Sequence, residues 1–235
     1  MTGWTNDSRC GAAMISRNND RFPVSVAVSA RSMDWLLSSF YHTLHPSEHT
    51  TMNGIAAHHY LLGRHAAKMA AQHFTNAPPG EIRISSGVFG QPVLSCAGHC
   101  NLQVSISHSN ERAIAIVFPE QHPMAVDIES LDSIKHLPDE NAPLPVGLPY
   151  QDGVLRMLLW TAREALSKVL KTGLTTELDI LATDTVTAGN GFLTITFRHF
   201  MQYKAICWIA GDMACALVLP GRSDIDMAAL KAITC

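Results

Sequence analysis

The chain has 235 residues, of which 47 % are hydrophobic, so it is long enough to bury one large core or two smaller ones. Its 17 basic and 20 acidic residues give a formal net charge of −3, which argues against a nucleic-acid binder or a membrane-surface protein. The six cysteines are scattered, and the start of the chain is polar. We therefore expect a cytoplasmic protein without structural disulfides or a signal peptide. A monomer is a separate expectation.

Hydrophobic periodicity in the first half predicts a strand, two helices and a set of short strands. Residues 22–30 alternate valine with small residues, as a half-buried strand does, and an apolar helix around Trp35 and Phe40 follows. Apolar residues recur every three or four positions over 52–74, which predicts a long helix that ends before Pro78. Short β-type segments at 81–85, 91–94, 102–107 and 113–118 are expected to form one small antiparallel sheet.

The second half repeats this order in outline. A strand is predicted at 124–128, a helix at 153–171 and further strands at 192–198, 203–209 and 214–219. The connection over 137–152 is rich in proline, including Pro138 and Pro143, and is expected to be exposed. The predicted fold class is α+β, with two similar α/β subdomains, 1–120 and 121–235, each a small, mainly antiparallel sheet packed on a long helix.

Two carboxylates stand on the first predicted strand of the second half. Asp127 and Glu129 flank Ile128, and positions i and i+2 of a strand point to the same face, roughly 7 Å apart. Carboxylates on an apolar strand are costly to bury without a positive partner, and Mg²⁺ prefers oxygen ligands. A strand end that reaches solvent is the more ordinary explanation of an isolated Asp-x-Glu pair, so both interpretations stay open for this pattern alone.

The predicted helix of the second half carries a charged stripe. Trp160, Glu164 and Lys168 are spaced by four residues, so Glu164 and Lys168 are neighbours on the helix surface. A surface salt bridge beside a core tryptophan is the ordinary interpretation. The rest of the stripe is apolar or small, however, which favours a functional site close to buried surface.

Two patterns in the first half suggest contacts with phosphate. Ser107 and His108 end a predicted strand, where a hydroxyl, an imidazole and backbone donors could meet an anion. Arg64 and Lys68 lie four residues apart on the long helix, in a stretch rich in histidine. The turn Gly90-Gln91-Pro92 precedes the Ser-His strand. A polar strand end and a solvated helix face are the alternative interpretations of the two patterns.

Taken in chain order, these motifs resemble the 4′-phosphopantetheinyl transferase superfamily, and in particular its surfactin-synthetase type, which has two similar halves in one chain. The family's Gly-Lys-Pro turn, Ser-His strand end, Asp-x-Glu strand and Trp-x-x-Lys-Glu-x-x-x-Lys helix are matched by Gly90-Gln91-Pro92, Ser107-His108, Asp127-Ile128-Glu129 and Trp160-Thr161-Ala162-Arg163-Glu164-Ala165-Leu166-Ser167-Lys168. The resemblance covers residues 44–174 and implies that the two subdomains are related by a pseudo-twofold axis.

The resemblance implies a Mg²⁺-dependent enzyme that transfers the 4′-phosphopantetheine group of coenzyme A to a serine of an apo acyl or peptidyl carrier protein, with release of 3′,5′-ADP. Coenzyme A would bind between the halves. Asp127, Glu129 and Glu164 would hold Mg²⁺ against its diphosphate. Glu164, directly or through a water molecule, would accept the proton of the serine hydroxyl, and Lys168 would stabilise the leaving phosphate.

The resemblance also implies roles for residues of the first half. His108 and neighbouring groups would hold phosphates of coenzyme A, and the Gly90-Gln91-Pro92 turn would lie against the adenine. The candidates for the phosphates are Ser107, His108, Arg64 and Lys68.

The chain departs from the family pattern at several positions. Gln91 replaces the lysine of the turn, which removes a cation near the nucleotide, and Arg163 replaces the lysine before Glu164. His58 and His59 stand where the family often has an arginine before Leu-Leu-Gly. The aromatic and acidic segment expected before the Trp160 helix is replaced by the proline-rich connection, so recognition of the carrier protein is expected to be unusual.

Other functions compete with transfer. A homologue that binds coenzyme A or another nucleotide without transferring anything has little use for three carboxylates and an adjacent ammonium. A zinc-binding protein built around Cys96, His99 and Cys100 needs a fourth ligand at recognisable spacing. A metal-dependent phosphohydrolase could use the carboxylates, but it does not explain Ser107-His108 and the Trp160 helix as a set.

Overall fold

The computed structural model describes residues 8–137 and 143–235, without the side chain of His136. The chain forms two compact units. Unit 1 comprises the chain up to Pro123 together with Ser223–Cys235, and unit 2 comprises Met124–Arg222. The predicted lack of a signal peptide and part of the predicted proline-rich connection, including Pro138, concern residues outside the described ranges.

Residues 8–123 of unit 1 form six strands and one long helix. The strands and α-helices run in the order β1 (Arg9–Arg17), β2 (Asp20–Ser29), α1 (Met33–Trp35), α2 (Gly54–Thr75), β3 (Ile82–Ser86), β4 (Pro92–Cys96), β5 (Leu102–Ser109) and β6 (Arg112–Pro119). A π-helical turn, Leu36–Phe40, extends α1, and 3-10 turns lie at Tyr41–Thr43, Pro46–Glu48 and Pro79–Glu81.

The described residues of unit 2 form five strands and one long helix. They run in the order β7 (Ala125–Ser130), α3 (Asp152–Leu170), β8 (Thr183–Ala188), β9 (Leu193–Phe197), β10 (Tyr203–Ala210) and β11 (Met213–Pro220), with 3-10 turns at Leu131–His136 and Gly173–Thr175. The strands form one antiparallel sheet in the order β7-β11-β10-β9-β8. Apolar residues of α3 pack on this sheet and form the core of the unit.

The chain then returns to unit 1 through β12 (Ser223–Ile225) and α4 (Met227–Thr234). β12 pairs with β1, which completes an antiparallel sheet in the order β12-β1-β2-β6-β5. α4 packs against β1, and a Cβ at Gly11 would lie 2.9 Å from Cγ1 of Ile233, so the helix can approach this closely because Gly11 has no side chain. The observed unit 2 is therefore shorter than the predicted subdomain 121–235, because β12 and α4 belong to unit 1.

Helix α2 lies on the five-stranded sheet of unit 1. Its inner face is built from small and branched residues, and Gly63 lets it approach β5, because a Cβ there would be 3.1 Å from Cγ2 of Ile106. The helix ends at Asn76, whose φ of 58° lies in the left-handed region that asparagine tolerates well. The prolines that follow prevent further helix.

The α+β class is confirmed, since each unit has a five-stranded antiparallel sheet and a long helix. The prediction that four short strands form one sheet, however, is wrong. β3 and β4 form a separate hairpin, whereas β5 pairs with β6 and β6 pairs with β2. Strands β1, β8 and β12 and helix α4 were not predicted from the sequence. The pseudo-twofold relation stays a prediction. No helix within the described ranges is long and apolar enough to cross a membrane.

Candidate metal centre and phosphate-binding residues

The carboxylates of Asp127 and Glu129 lie on β7, on one face of the sheet of unit 2. Their direct partners on β11 are Ala216 and Ala214. Directly opposed residues of an antiparallel pair share a face, so two small side chains lie beside the carboxylates on this face of the sheet. Asp127 is buried and Glu129 is half-buried. The alternation of a strand therefore places two acidic groups next to the helix that covers the sheet.

Helix α3 supplies a third carboxylate. Its apolar positions, such as Leu158, Ala162 and Ala165, are buried in the core of unit 2, which fixes the rotation of the helix. Carboxylate oxygens of Asp127, Glu129 and Glu164 all lie within 4.8 Å of one another. In the part of the chain that the structure describes, this acidic triad is the one group of three or more His, Cys, Asp or Glu side chains placed to hold a metal ion.

Lys168 completes the cluster one helical turn after Glu164. Its ammonium donates to Oδ1 of Asp127 at 2.6 Å and lies 3.5 Å from the backbone oxygen of Val126. The side chain of Asp127 is 2 % exposed and that of Lys168 is 32 % exposed. One ammonium cannot balance three ionised carboxylates, so the cluster needs further positive charge.

Protonation of Glu164 lowers the negative charge of the acidic triad when no metal is bound. Burial, the charges of Asp127 and Glu129, and a hydrogen bond with Glu129 together raise the pKa of Glu164 to about 9, although Lys168 opposes the shift. At neutral pH Glu164 is thus protonated and donates to Glu129. The proton shared by Glu164 and Glu129 reduces the negative charge of the acidic triad, as a bound cation would.

The donor set of the acidic triad fits Mg²⁺. All three side chains offer carboxylate oxygens, the hard ligands that Mg²⁺ prefers, and Mg²⁺ is usually held by carboxylates together with phosphates of a substrate. The soft thiol or imidazole ligands that favour zinc are not among them. Asp127, Glu129 and Glu164 are therefore the residues that would hold the ion.

Trp160 and Arg163, the other residues of the α3 motif, lie beside a cavity in unit 2. The cavity has a volume of about 260 Å³ and is also lined by Arg156, Leu144 and Val186. Asp184 also lines the cavity, so charges of both signs face it.

In unit 1 the structure assigns Lys68 a structural role. Its side chain is 1 % exposed, and its ammonium lies 3.0 Å from Oε2 of Glu48. It also donates to the backbone oxygens of Pro79 at 3.1 Å and Ile82 at 2.7 Å. The carboxylate of Glu48 in turn accepts from the backbone N–H groups of His45 and Ile84. Lys68 is buried, and its ammonium is already paired with Glu48 and with backbone oxygens, so it does not serve as the predicted phosphate ligand.

Arg64 has a different environment. It is 8 % exposed, its guanidinium lies 4.7 Å from the ring centroid of Tyr60, and it forms no ion pair within residues 8–137 and 143–235. Its Nε has no hydrogen-bond partner among those residues. A buried cation without a counter-ion is costly, so Arg64 remains a good candidate for binding an anionic ligand.

His108 is exposed at the end of β5, and the preceding Ser107 is buried. The imidazole of His108 stacks on that of His59 from α2, with ring centroids 4.7 Å apart. The structure therefore brings His108 of the predicted Ser-His motif against His59 of the long helix of unit 1, where the resembling family often has an arginine nearby.

The Gly90-Gln91-Pro92 turn lies at the tip of the β3–β4 hairpin. Oε1 of Gln91 accepts a hydrogen bond of 2.9 Å from the backbone N–H of Phe89, and the backbone N–H of Gly87 donates to the oxygen of Gln91 at 2.7 Å. Gly90 has a φ of 78°, which favours glycine. The amide side chain of Gln91 thus closes the turn itself.

Cys96, His99 and Cys100, the candidate ligands of a zinc-binding protein, do not form a recognisable metal site. Cys96 is buried and forms a β-bridge with His99, whereas Cys100 is exposed. Cys207, which sequence reasoning missed, is completely buried on β10, where desolvation and the charge of Asp127 raise its pKa. This thiol is neutral, and it lies close enough to Asp127 for that charge to affect its pKa. The hydrophobic sequence around Cys207 does not predict that the residue lies near the acidic triad.

No protein-family model matches this chain, and no curated protein matches it significantly. The interpretation of the site therefore depends on its geometry and on the order of the motifs in the sequence.

Proposed function

We propose that the protein is a Mg²⁺-dependent 4′-phosphopantetheinyl transferase, which moves the phosphopantetheine group of coenzyme A to a serine of an apo carrier protein. The observation that carries this proposal is the convergence of Asp127, Glu129 and Glu164 beside Lys168. Two motifs that are 37 residues apart in the chain, counted from Asp127 to Glu164, supply one cluster of carboxylates and an ammonium. Such a cluster suits the transfer of a phosphoryl group, which needs positioning and charge neutralisation.

The proposed chemistry begins with the serine hydroxyl of the carrier. Mg²⁺, when bound, would neutralise the charge of the diphosphate and polarise its oxygens. Glu164, ionised once its shared proton is lost, accepts the hydroxyl proton. The serine oxygen forms a bond to the phosphorus that bears pantetheine, and the bond from that phosphorus to the bridging oxygen breaks. The electron pair leaves with 3′,5′-ADP.

Lys168 has a separate task in this proposal. The 2.6 Å hydrogen bond to Asp127 fixes the direction of its ammonium, and its partial exposure keeps the group accessible to a ligand. An oriented ammonium stabilises negative charge that develops on a leaving phosphate without costly rearrangement. Lys168→Met should therefore lower the rate of transfer more than the affinity for coenzyme A.

The decisive experiment incubates the protein with coenzyme A, Mg²⁺ and several purified apo carrier proteins. Intact mass spectrometry should detect the phosphopantetheine adduct on at least one carrier, and chelation of the metal should abolish it. Glu164→Gln should abolish transfer while coenzyme A still binds. Glu177→Gln, which changes an exposed carboxylate of the same unit, is the matched control and should leave transfer intact.

The alternative function is a coenzyme A or nucleotide binder without transferase activity. That alternative gains if the wild type binds coenzyme A but modifies no carrier under conditions in which an active transferase modifies the same carriers. Full activity of Glu164→Gln would contradict the proposed role of the acidic triad.

A further inference from the structure

The hairpin of β3 and β4 has one strand edge that is buried without a neighbouring strand. β3 pairs with β4 along its inner edge, and among residues 8–137 and 143–235 no strand pairs with its outer edge. Ile82 and Ile84 of β3 are nevertheless buried in the core of unit 1. Backbone groups on a buried edge need hydrogen-bond partners other than water.

The ion pair of Glu48 and Lys68 supplies these partners. Oε1 of Glu48 accepts a hydrogen bond of 3.2 Å from the N–H of Ile84, and the ammonium of Lys68 donates to the backbone oxygen of Ile82 at 2.7 Å. Residues i and i+2 of a strand direct their backbone groups to the same edge, where an adjacent strand would normally bind them. The ion pair therefore takes the place of a strand along the outer edge of β3.

The same two side chains join the hairpin to other segments of unit 1. The N–H of His45, which precedes the 3-10 turn Pro46–Glu48, donates to Oε2 of Glu48 at 2.9 Å. Lys68 extends from α2 and also donates to the backbone oxygen of Pro79 at 3.1 Å. A buried ion pair whose hydrogen bonds are filled has a defined geometry. The base of the hairpin is thus held by directional bonds as well as by apolar packing.

We propose that Glu48 and Lys68 are positioning residues, which hold the β3–β4 hairpin ready for its ligand. This inference rests on the proposed function, under which the Gly90-Gln91-Pro92 turn at the tip of the hairpin lies against the adenine of coenzyme A. Both side chains are almost completely shielded from solvent, so they act through the hairpin and not by contact with the ligand. A hairpin that is fixed before binding loses little conformational freedom when coenzyme A binds.

The test uses the double variant Glu48→Leu with Lys68→Met. It removes both charges and both hydrogen bonds to β3 while it keeps apolar bulk in their place. No buried charge is left unpaired, so the double variant should be more stable than Lys68→Met alone. Hydrogen exchange followed by NMR should become at least about tenfold faster at the amide of Ile84, whereas the amide of Ile116 on the central strand β6 should keep its protection.

Steady-state kinetics of transfer, with coenzyme A as the varied substrate, separates positioning from chemistry. A hairpin that occupies its binding position about a tenth of the time should raise KM for coenzyme A about tenfold. kcat should stay within about twofold of wild type, because bound coenzyme A holds the hairpin in place and the acidic triad is unchanged. Glu81→Gln alters an exposed carboxylate next to β3 and is the matched control, which should leave exchange and KM unchanged.

The outcomes distinguish this inference from the proposed function. Faster exchange at Ile84 with an unchanged KM, or a lower kcat with an unchanged KM, would overturn the positioning role while transfer by the wild type still stands. If the double variant does not fold, the wild type decides: its Ile84 amide should exchange at least about 1000-fold more slowly than in an unfolded chain, and faster exchange would overturn the inference. A wild type that neither binds coenzyme A nor transfers from it would overturn the proposed function and, with it, the role of the ion pair in binding coenzyme A.

Discussion

Binding of Mg²⁺ to the acidic triad should be a competition with a proton. The pKa of Glu164 is about 9 in the metal-free protein, so about one molecule in 100 has this carboxylate ionised at pH 7. Ionising it at pH 7 costs about 3 kcal/mol, because each pH unit below the pKa adds about 1.4 kcal/mol. The apparent affinity for Mg²⁺ should therefore rise by about tenfold per pH unit between pH 7 and 9 and then level off.

Isothermal titration calorimetry can count the protons. Titration of Mg²⁺ at pH 7 in two buffers with different enthalpies of ionisation should show the release of about one proton per ion. Glu164→Gln resembles the protonated side chain in shape, and it should release almost none and bind Mg²⁺ more weakly. Glu177→Gln should match the wild type in both respects.

A flat affinity between pH 7 and 9, with no release of protons from the wild type, would refute this reasoning. It would mean that Glu164 is already ionised, or that the ion binds elsewhere. Proton release that persists in Glu164→Gln would show that another group carries the proton.

Three further predictions concern unit 1. Lys68→Met should destabilise the protein by about 3–5 kcal/mol in urea denaturation, because it leaves the carboxylate of Glu48 buried without its cation; a cost below about 1 kcal/mol would show that Glu48 is solvated. Arg64→Met should raise the melting temperature, because it removes a buried unpaired charge, and should weaken binding of 3′,5′-ADP; unchanged binding would exclude Arg64 as a ligand. His65 has a lowered pKa of about 4 in the folded state, so the unfolded state takes up the proton first as the pH falls below 6.5. The free energy of unfolding should therefore decrease between pH 6.5 and 4, by up to about 1.4 kcal/mol per pH unit. His65→Gln should remove that part of the slope in denaturation curves, and an unchanged slope would contradict the assignment.

Most regular elements with strong periodicity could be predicted from the sequence. The predicted helices at 52–74 and 153–171 correspond to Gly54–Thr75 and Asp152–Leu170, because long amphipathic patterns are reliable signals. β1 and β8 were missed because their polar and small residues lack a clear alternation. Their strand structure is decided by pairing with neighbouring strands, which local sequence does not reveal.

The candidate metal centre was easier to predict than the phosphate ligands. Strand alternation places Asp127 and Glu129 together whatever the rest of the fold does, and a helix spacing of four relates Glu164 to Lys168. The i, i+4 spacing of Arg64 and Lys68 is equally regular, yet it did not show that Lys68 is taken by Glu48, which lies 20 residues earlier in the chain. Contacts between distant segments depend on tertiary packing.

The return of β12 and α4 to unit 1 has a consequence for synthesis on the ribosome. All strands of unit 2 lie within one continuous stretch, so this unit can close its sheet as soon as Arg222 has emerged. Unit 1 begins first but lacks an edge strand and a covering helix until Ser223–Cys235 follow. The nascent chain therefore reverses the usual order in which the amino-terminal module folds first. Its exposed β1 edge would be the segment that a chaperone protects during translation.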